Sequence, residues 1–464
     1  MADIGEKCAV FGVYGTRLEV ARLAFFGLFA LQHRGQESSG IATADGEKLH
    51  VHRGMGLVAQ VFNEDDIKKM PGHISVGHNR YSTAGGSKVE HAQPMMDAKE
   101  RFALAHNGNL PSITALHEYL SETRESDKED SDSRFIVNAL AAAMDGGDSL
   151  EEAVKRIYPL MTGAFSILIM GRDRLIAIRD RCGIRPLSMA KVGGGIAFSS
   201  ETCALHTIDA EFLGDVLPGE MVVVDESGVH REQLAEPDPK FDVFEFVYFS
   251  RPDSELLGKS VYEVRKQFGV QLAKERKIEA DVVIPVPETS NPVAIGYSQA
   301  SGIPLELGLT KNRYIHRTFI QPEQHMREQG VKMKLTPVEG VIKGKRVIVV
   351  DDSIVRGTTS RQIVEMLFDV GAKEVHFIVS SPPVRFPDFY GIDTPRQDQL
   401  IAAMKTEEEV CAYLKATSLQ YLSLQGMIDS IGVSESQLNT SCFTGKYPID
   451  IGHNAKKIMF DARG

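Results

Sequence analysis

Short apolar runs separated by polar, glycine-containing turns fill the first half of the chain. Runs with strand character fall at 8–14, 48–52, 74–77, 102–106, 164–170, 175–179, 195–199 and 221–224. Apolar residues recur at helical spacing over 20–32, about 134–144, and 150–160. This half reads as a β-rich unit with helices inserted. Residues 236–240, where prolines alternate with charges, read as a linker. Beyond them helix and strand alternate: a helix over 261–277, strands at 281–286 and 347–350, a helix after Thr359, and a strand at 374–379. Such alternation predicts a parallel sheet. From Glu407 the pattern is helical and then irregular, and no tandem repeat or low-complexity segment interrupts the chain.

Composition narrows the class. The chain has 464 residues, 42% hydrophobic and 25% charged, with a formal net charge of -11 and no Trp. That length accommodates two or three domains. The acidic balance, with no long basic block, argues against nucleic acid as the main partner and favours small polar substrates. Leu23 to Leu31 is too short to cross a bilayer and lacks the order of a secretory signal, so a membrane role is not expected and a cytoplasmic location is. Cys8, Cys182, Cys203, Cys411 and Cys442 are scattered and form no C-x-x-C pair, so neither a disulfide framework nor a zinc site is indicated, and one of them is free to be a nucleophile.

The run Val347 to Ser360, VIVVDDSIVRGTTS, carries the densest chemistry. Its four β-formers predict a strand buried on both faces, which places Asp351 and Asp352 at the carboxyl end, where open α/β sheets bind ligands. Thr359 with Gln362 predicts a capping box, and Ile363, Met366, Leu367 and Val370 continue at helical spacing. The N–H groups and hydroxyls of Gly357, Thr358, Thr359 and Ser360, with Arg356 beside them, can then converge on a phosphate at a helix N-terminus. Two adjacent carboxylates beside a buried strand are tolerable when they face ribose hydroxyls, Mg2+, or both. A capped loop would explain either piece alone; together the run resembles the phosphoribosyl-diphosphate site of type I phosphoribosyltransferases.

In the first half the informative residues are dispersed. Cys8 opens the first strand after a leader, residues 1–7; with the leader removed it would carry both a thiol and an α-amine able to act as its base. A buried strand cysteine is the plainer alternative. LQHRGQESSG with Arg34, HNRYSTAG with Arg80, LAHNGNL with Asn107 and Gly108, and SDS with Asp132 join Cys8 in an order and spacing that resemble the class II glutamine amidotransferase domain. The resemblance implies that Arg80 pairs with the glutamine carboxylate and Asp132 with its ammonium. Asn107 and Gly108 would stabilise an oxyanion, and Arg34, on the same glutamine side, would brace the loops around the thiol. One departure is Arg134 after SDS, where relatives often carry Glu.

Taken whole, the chain resembles the glutamine phosphoribosylpyrophosphate amidotransferases. The resemblance implies an α+β N-terminal-nucleophile sandwich (αββα) over 8–235, followed over 236–464 by an α/β type I phosphoribosyltransferase domain with a parallel sheet and a helical C-terminal segment. PVPETS would wrap a pyrophosphate through Glu288, Thr289 and Ser290, with Thr289 near the metal. Lys311, Arg313, Arg317, Arg327, Lys332 and Lys334 would form a flap over the polyanion, and Tyr248 would line an ammonia channel. Glutamine and 5-phosphoribosyl 1-diphosphate are the implied substrates, Mg2+ the cofactor, purine nucleotides the inhibitors and a homo-oligomer the assembly. One branch of the family holds an iron-sulfur cluster on four cysteines, at positions matching Asp242, Asp388 and two near Ser436 and Asn439; none is cysteine here, so no cluster is expected and Cys442 is read as a buried thiol. Three alternatives stay open: a glucosamine-phosphate synthase, which would need sugar-isomerase domains; an inactive purine-nucleotide sensor; and a phosphoribosyltransferase acting alone.

Overall fold

The computed structural model describes residues 8–81, 89–121, 131–312, 334–392 and 394–452. Two antiparallel sheets make up the N-terminal part. In order across the first run Glu211–Asp215, Ser188–Val192, Gly195–Ser199, Ala9–Tyr14, Ile74–Arg80, Ser38–Ala44 and Leu49–Met55. The second runs Gly228–Gln233, Glu220–Asp225, Leu175–Arg179, Thr162–Met170, Ala103–Ser112 and Met95–Met96.

Apolar side chains on both faces of the central strands explain the layering. Val10, Ala42, Val76, Ala105, Leu168 and Ala177 meet between the sheets. On the outer face of the first sheet, Phe11, Val13 and Ile41 pack under the helix Val20–Ala30. Ile167, Ile169 and Ile178 of the second pack under Asp132–Asp145 and Leu150–Ile157. The result is the expected helix–sheet–sheet–helix sandwich.

The C-terminal part contains a parallel sheet of Val282–Pro285, Arg346–Asp351, Glu374–Val379 and Ser418–Tyr421. Val283, Ile348 and Ile378 face the helices Val261–Glu275 and Asn291–Ser301, whereas Ile284, Val349 and Phe377 face Thr358–Asp369 and Glu407–Leu414. Strands covered on both sides read as continuous apolar runs, as VIVV does. Among the described residues no helix is long and apolar enough to cross a membrane.

Two expectations need correction. Thr358 begins the helix with Gly357 as its cap in the left-handed region, φ 76°, and no side-chain capping bond forms, so the Thr359–Gln362 capping box is absent. The cap position needs positive φ, which glycine adopts without steric cost. Cys8 lies just before the first strand, which starts at Ala9.

Candidate active sites

A cavity of about 250 Å³ in the N-terminal part is lined by Cys8, Arg80, Tyr81, Gly108, Asn109 and Asp132, among others. These residues come from the start of one strand, the end of another, the middle of a third and the first turn of a helix. Arg80 ends Ile74–Arg80, and its Nη1 lies 3.6 Å from Glu37 Oε2. Asp132 accepts from Leu110 N at 3.2 Å and from Ser133 N at 2.6 Å. Ser131, not Asp132, caps this helix by accepting from Arg134 N. Arg134, the residue after SDS, directs its Nη1 to the Met96 carbonyl at 3.3 Å.

Burial pushes the Cys8 thiol up from its ordinary value, against the Tyr81 backbone N–H bond and the Arg80 charge. Burial also drives His106 down, with Asp132 opposing. Asn107 is buried, its Nδ2 directed at Ser200 Oγ at 3.4 Å, and Ser200 in turn accepts from Val10 N at 2.9 Å. Gly108 lies in the cavity wall.

Arg34 is not among the residues lining this cavity. Its guanidinium is buried, donates to Glu201 and to both oxygens of Glu245, and its Nε points at Cys8 O at 3.4 Å. A guanidinium shared between two buried carboxylates thus stands behind the Cys8 carbonyl rather than in the cavity wall. Glu201 also takes bonds from His33 at 2.7 Å, Ser254 Oγ at 2.7 Å and Arg251 N at 2.9 Å. Burial disfavours its charge, yet His33 and Arg34 hold its carboxyl below the usual carboxylate range. Glu201, Glu245 and Arg185 escaped the sequence reading; the one available signal was a lone acid, Glu245, inside the apolar run Val243 to Phe249.

In the C-terminal part, Asp351 and Asp352 sit buried at the carboxyl end of Arg346–Asp351. Val286 N bonds to Val350 O at 2.8 Å, which brings the loop carrying Glu288, Thr289 and Ser290 to the same sheet edge. Ser353 Oγ donates to Asp352 Oδ1 at 2.8 Å. Burial, and then the Asp351 charge, push the Asp352 carboxyl up to about 7. Thr358, Thr359 and Ser360 form the first turn of the helix, while the exposed Arg356 is tied to Gln399 Oε1 at 2.8 Å.

A second cavity, about 540 Å³, lies between the parts. His33, Tyr248, Ser250, Arg251, Arg265, Glu288, Thr289 and Lys311 are among its lining residues. Lys311 ends a two-stranded ribbon, Leu309–Lys311 with Leu335–Pro337, closed by Asn312 N to Lys334 O at 2.9 Å. Arg313, Arg317, Arg327 and Lys332 lie outside the described residues, as does the leader.

The profile of the glutamine amidotransferase domain matches residues 78–207, and that of the phosphoribosyl transferase domain residues 266–382. The amidophosphoribosyltransferase of Synechocystis is 49% identical over 96% of this chain and 92% of its own length. The chain belongs to the amidophosphoribosyltransferase family. The Bacillus subtilis amidophosphoribosyltransferase is 44% identical over 97% of this chain and 95% of its own. A solved structure of the glutamine phosphoribosylpyrophosphate amidotransferase from that organism, complexed with ADP and GMP, superposes with a TM-score of 0.90 at 43% identity, covering 96% of this chain and 98% of that one. As an amidophosphoribosyltransferase the chain catalyses glutamine-dependent amidotransfer to phosphoribosyl pyrophosphate in purine biosynthesis. The phosphoribosyl transferase match removes the glucosamine-phosphate synthase alternative, and the amidotransferase match gives the first half the task that a phosphoribosyltransferase acting alone would lack. Nothing supports an inactive sensor.

Proposed function

We propose that the two reactions are divided between residues 8–235 and 236–464, with Cys8 as the nucleophile of the first after loss of residues 1–7. The carrying observation is the cavity that gathers Cys8, Arg80, Gly108 and Asp132 from four separate segments. Arg80 holds the glutamine carboxylate and Asp132 the ammonium. A buried thiol raised above its ordinary value needs a base, and the freed α-amine of Cys8 is that base. The thiolate attacks the amide carbon, and the Asn107 amide and the Gly108 N–H stabilise the oxyanion. The C–N bond breaks, ammonia leaves, and water cleaves the thioester to glutamate.

Ammonia passes Tyr248 into the second cavity and attacks the anomeric carbon of 5-phosphoribosyl 1-diphosphate. The bond to diphosphate breaks and 5-phosphoribosylamine forms. Asp351 and Asp352 hold the ribose hydroxyls and stabilise positive charge developing on the ring. The N–H groups and hydroxyls from Gly357 to Ser360, with Arg356, take the 5-phosphate. Glu288, Thr289 and Ser290 enclose the diphosphate with Lys311, Arg313, Arg317 and Lys332. Mg2+ fits this edge: two adjacent buried carboxylates, one raised to about 7, form an acidic pair of hard oxygens. Asp351 and Asp352 would hold it, with Thr289 near, and when bound it would neutralise diphosphate charge. Purine nucleotides inhibit, a reading supported by the ADP and GMP complexed in the Bacillus subtilis structure, and the chain acts as a homo-oligomer.

The test combines intact mass with isotope transfer. Active protein lacks residues 1–7 and moves 15N from the glutamine amide into phosphoribosylamine. Full glutamine hydrolysis by a chain retaining those residues refutes the free-amine mechanism.

A further inference from the structure

A turn of the C-terminal part presses on the backbone of Gly108. Gly391 has φ 106°, and a Cβ built on it would stand 3.1 Å from the Gly108 carbonyl carbon and 3.3 Å from its Cα and O. A Cβ on Gly108 itself would meet Ala164 O at 1.9 Å. Gly108 is therefore packed against both Ala164 and Gly391: a side chain on Gly108 is excluded, and one on Gly391 would have to push the Gly108 backbone by a few tenths of an ångström. The next residue fastens the contact, since Asn109 Nδ2 donates to Phe389 O at 2.8 Å.

The turn is itself held on several sides. Asp388 Oδ1 accepts from Tyr390 N at 2.8 Å and Ile392 N at 2.7 Å, and Asp388 N donates to Thr394 Oγ1 at 2.7 Å. Arg185, fully buried in the N-terminal part, donates Nε and Nη2 to Tyr390 O at 2.9 and 2.8 Å. Tyr390 OH donates to Ile449 O at 2.6 Å. Arg185 Nη1 continues to Asp242 at 2.8 Å and Glu245 at 3.4 Å, and Glu245 binds Arg34, whose Nε points at the Cys8 carbonyl. One bonded series thus runs from behind the proposed oxyanion glycine to behind the nucleophile.

We propose that the turn containing Phe389, Tyr390 and Gly391 is a positioning element for glutamine hydrolysis, with Gly391 setting the Gly108 backbone and Arg185 latching the turn. This rests on reading Gly108 and Asn107 as the oxyanion donors. Such donors act only when held within a few tenths of an ångström, and a displacement of about 1 Å costs on the order of 10²-fold in rate. The glutamine half-reaction therefore depends on residues of the phosphoribosyl half, even with no phosphoribosyl substrate present.

The experiment compares Gly391→Ala and Asn109→Ala with Gly258→Ala, a control also at positive φ, 69°, but with open space around the added Cβ. Glutamine hydrolysis and ammonia-dependent phosphoribosylamine formation are measured for each. Gly391→Ala lowers kcat for glutamine hydrolysis about tenfold or more, with KM for glutamine and ammonia-dependent turnover within about twofold. Asn109→Ala, which also touches the cavity, lowers the same kcat about threefold with KM for glutamine within about twofold, and that split decides the matter if Gly391→Ala does not fold, a rise in KM alone counting against the proposal. The control changes neither. Unchanged kcat in a folded Gly391→Ala, equal loss of both activities, or a KM effect alone overturns the proposal. Asn107→Ala separates the premises. Its full glutamine hydrolysis would sink the oxyanion reading, whereas its impairment beside an unaffected Gly391→Ala sinks only the positioning role.

Discussion

The thiol cavity draws its wall from Cys8, Arg80, His106, Gly108 to Leu110 and Ser131 to Ser133, among others, brought together from separate segments of a packed sandwich. The phosphoribosyl edge instead takes its acids and its helix N-terminus from one strand–turn–helix, with the 286–290 loop beside it. The difference follows from the chemistry. A covalent step needs several groups fixed about one carbon, which a four-layer core supplies. Displacement of a diphosphate mainly needs charge absorbed, which one polar turn and a basic segment can provide. The halves meet through buried ion pairs around Glu245 and through the two glycines at 108 and 391.

The largest effect should come from separating the halves chemically. Cys8→Ala removes the proposed nucleophile and is expected to lower glutamine-dependent product formation by about 10³-fold or more, leaving ammonia-dependent turnover within about twofold. Parallel assays with the two nitrogen donors check this. Equal loss with both donors would show that the two sites do not act separately.

Next in size is the seam. Glu245 is fully buried, accepts from both Arg34 amino groups at 2.8 and 3.0 Å and from Ser250 Oγ at 2.8 Å, and has Arg185 at 3.4 Å. Glu245→Gln keeps the shape but turns one of its two acceptor oxygens into an NH2 group facing guanidinium or hydroxyl donors, a loss of about 1.5–3 kcal/mol. Scanning calorimetry should show a lower unfolding midpoint, and an unmoved midpoint would mean the network contributes only geometry.

The same contrast decides what could be read from sequence. VIVVDDSIVRGTTS revealed strand, acids and helix start because all its constraints are local. The cap was misassigned because Thr359–Gln362 and Gly357 both satisfy helix-start rules, and only the backbone φ decides between them. Ser38–Ala44 passed unnoticed because it has almost no bulky apolar residue; a Cβ on its Gly40 would stand 2.2 Å from Gln93 O, so close packing selected small residues there. Gly228–Gln233, mostly exposed, carries little apolar pattern either. Cys8, Arg80, Asn107, Gly108 and Asp132 were singled out only by order and spacing, and the structure brings all but Asn107 to one cavity wall. Arg185, Glu201 and Gly391 had no local signal, since their partners lie far away in sequence.

A smaller effect distinguishes the second half from the first. Asp352→Asn removes half of the acid pair at the sheet edge and should lower phosphoribosylamine formation by about 10²-fold with either nitrogen donor. Glutamine hydrolysis should remain within about threefold, because the substitution lies outside the thiol cavity and the seam network. Selective loss of glutamine hydrolysis would place Asp352 in the wrong compartment.

The smallest effect is a pH dependence lodged in the seam. Asp388 is pushed up to about 7 and Asp242 to about 6, both chiefly by burial, and each carboxylate repels the other. Arg185 opposes both shifts, Glu245 adds a further negative charge beside Asp242, and the Cys442 thiol is raised first by burial and then by the charges of Asp388 and Asp242. With Arg34 and Arg185 facing Glu201, Glu245, Asp242 and Asp388, acids outnumber guanidiniums, so the Asp242–Asp388 pair keeps a proton that the unfolded chain releases near pH 4. The folded state then binds more protons over that interval, and stability must fall as pH rises, by about 1 kcal/mol per unit between roughly pH 5 and 7, levelling above 7. Asp388→Asn keeps an oxygen for the Tyr390 and Ile392 N–H groups while removing the titration. Its unfolding midpoint should vary less with pH over that range. The slope that remains belongs to groups such as Asp180, raised to about 6 by burial within the glutamine half. A variant as steep as the parent protein would mean that Arg185 keeps Asp388 ionised throughout, and that the seam carries no proton of its own.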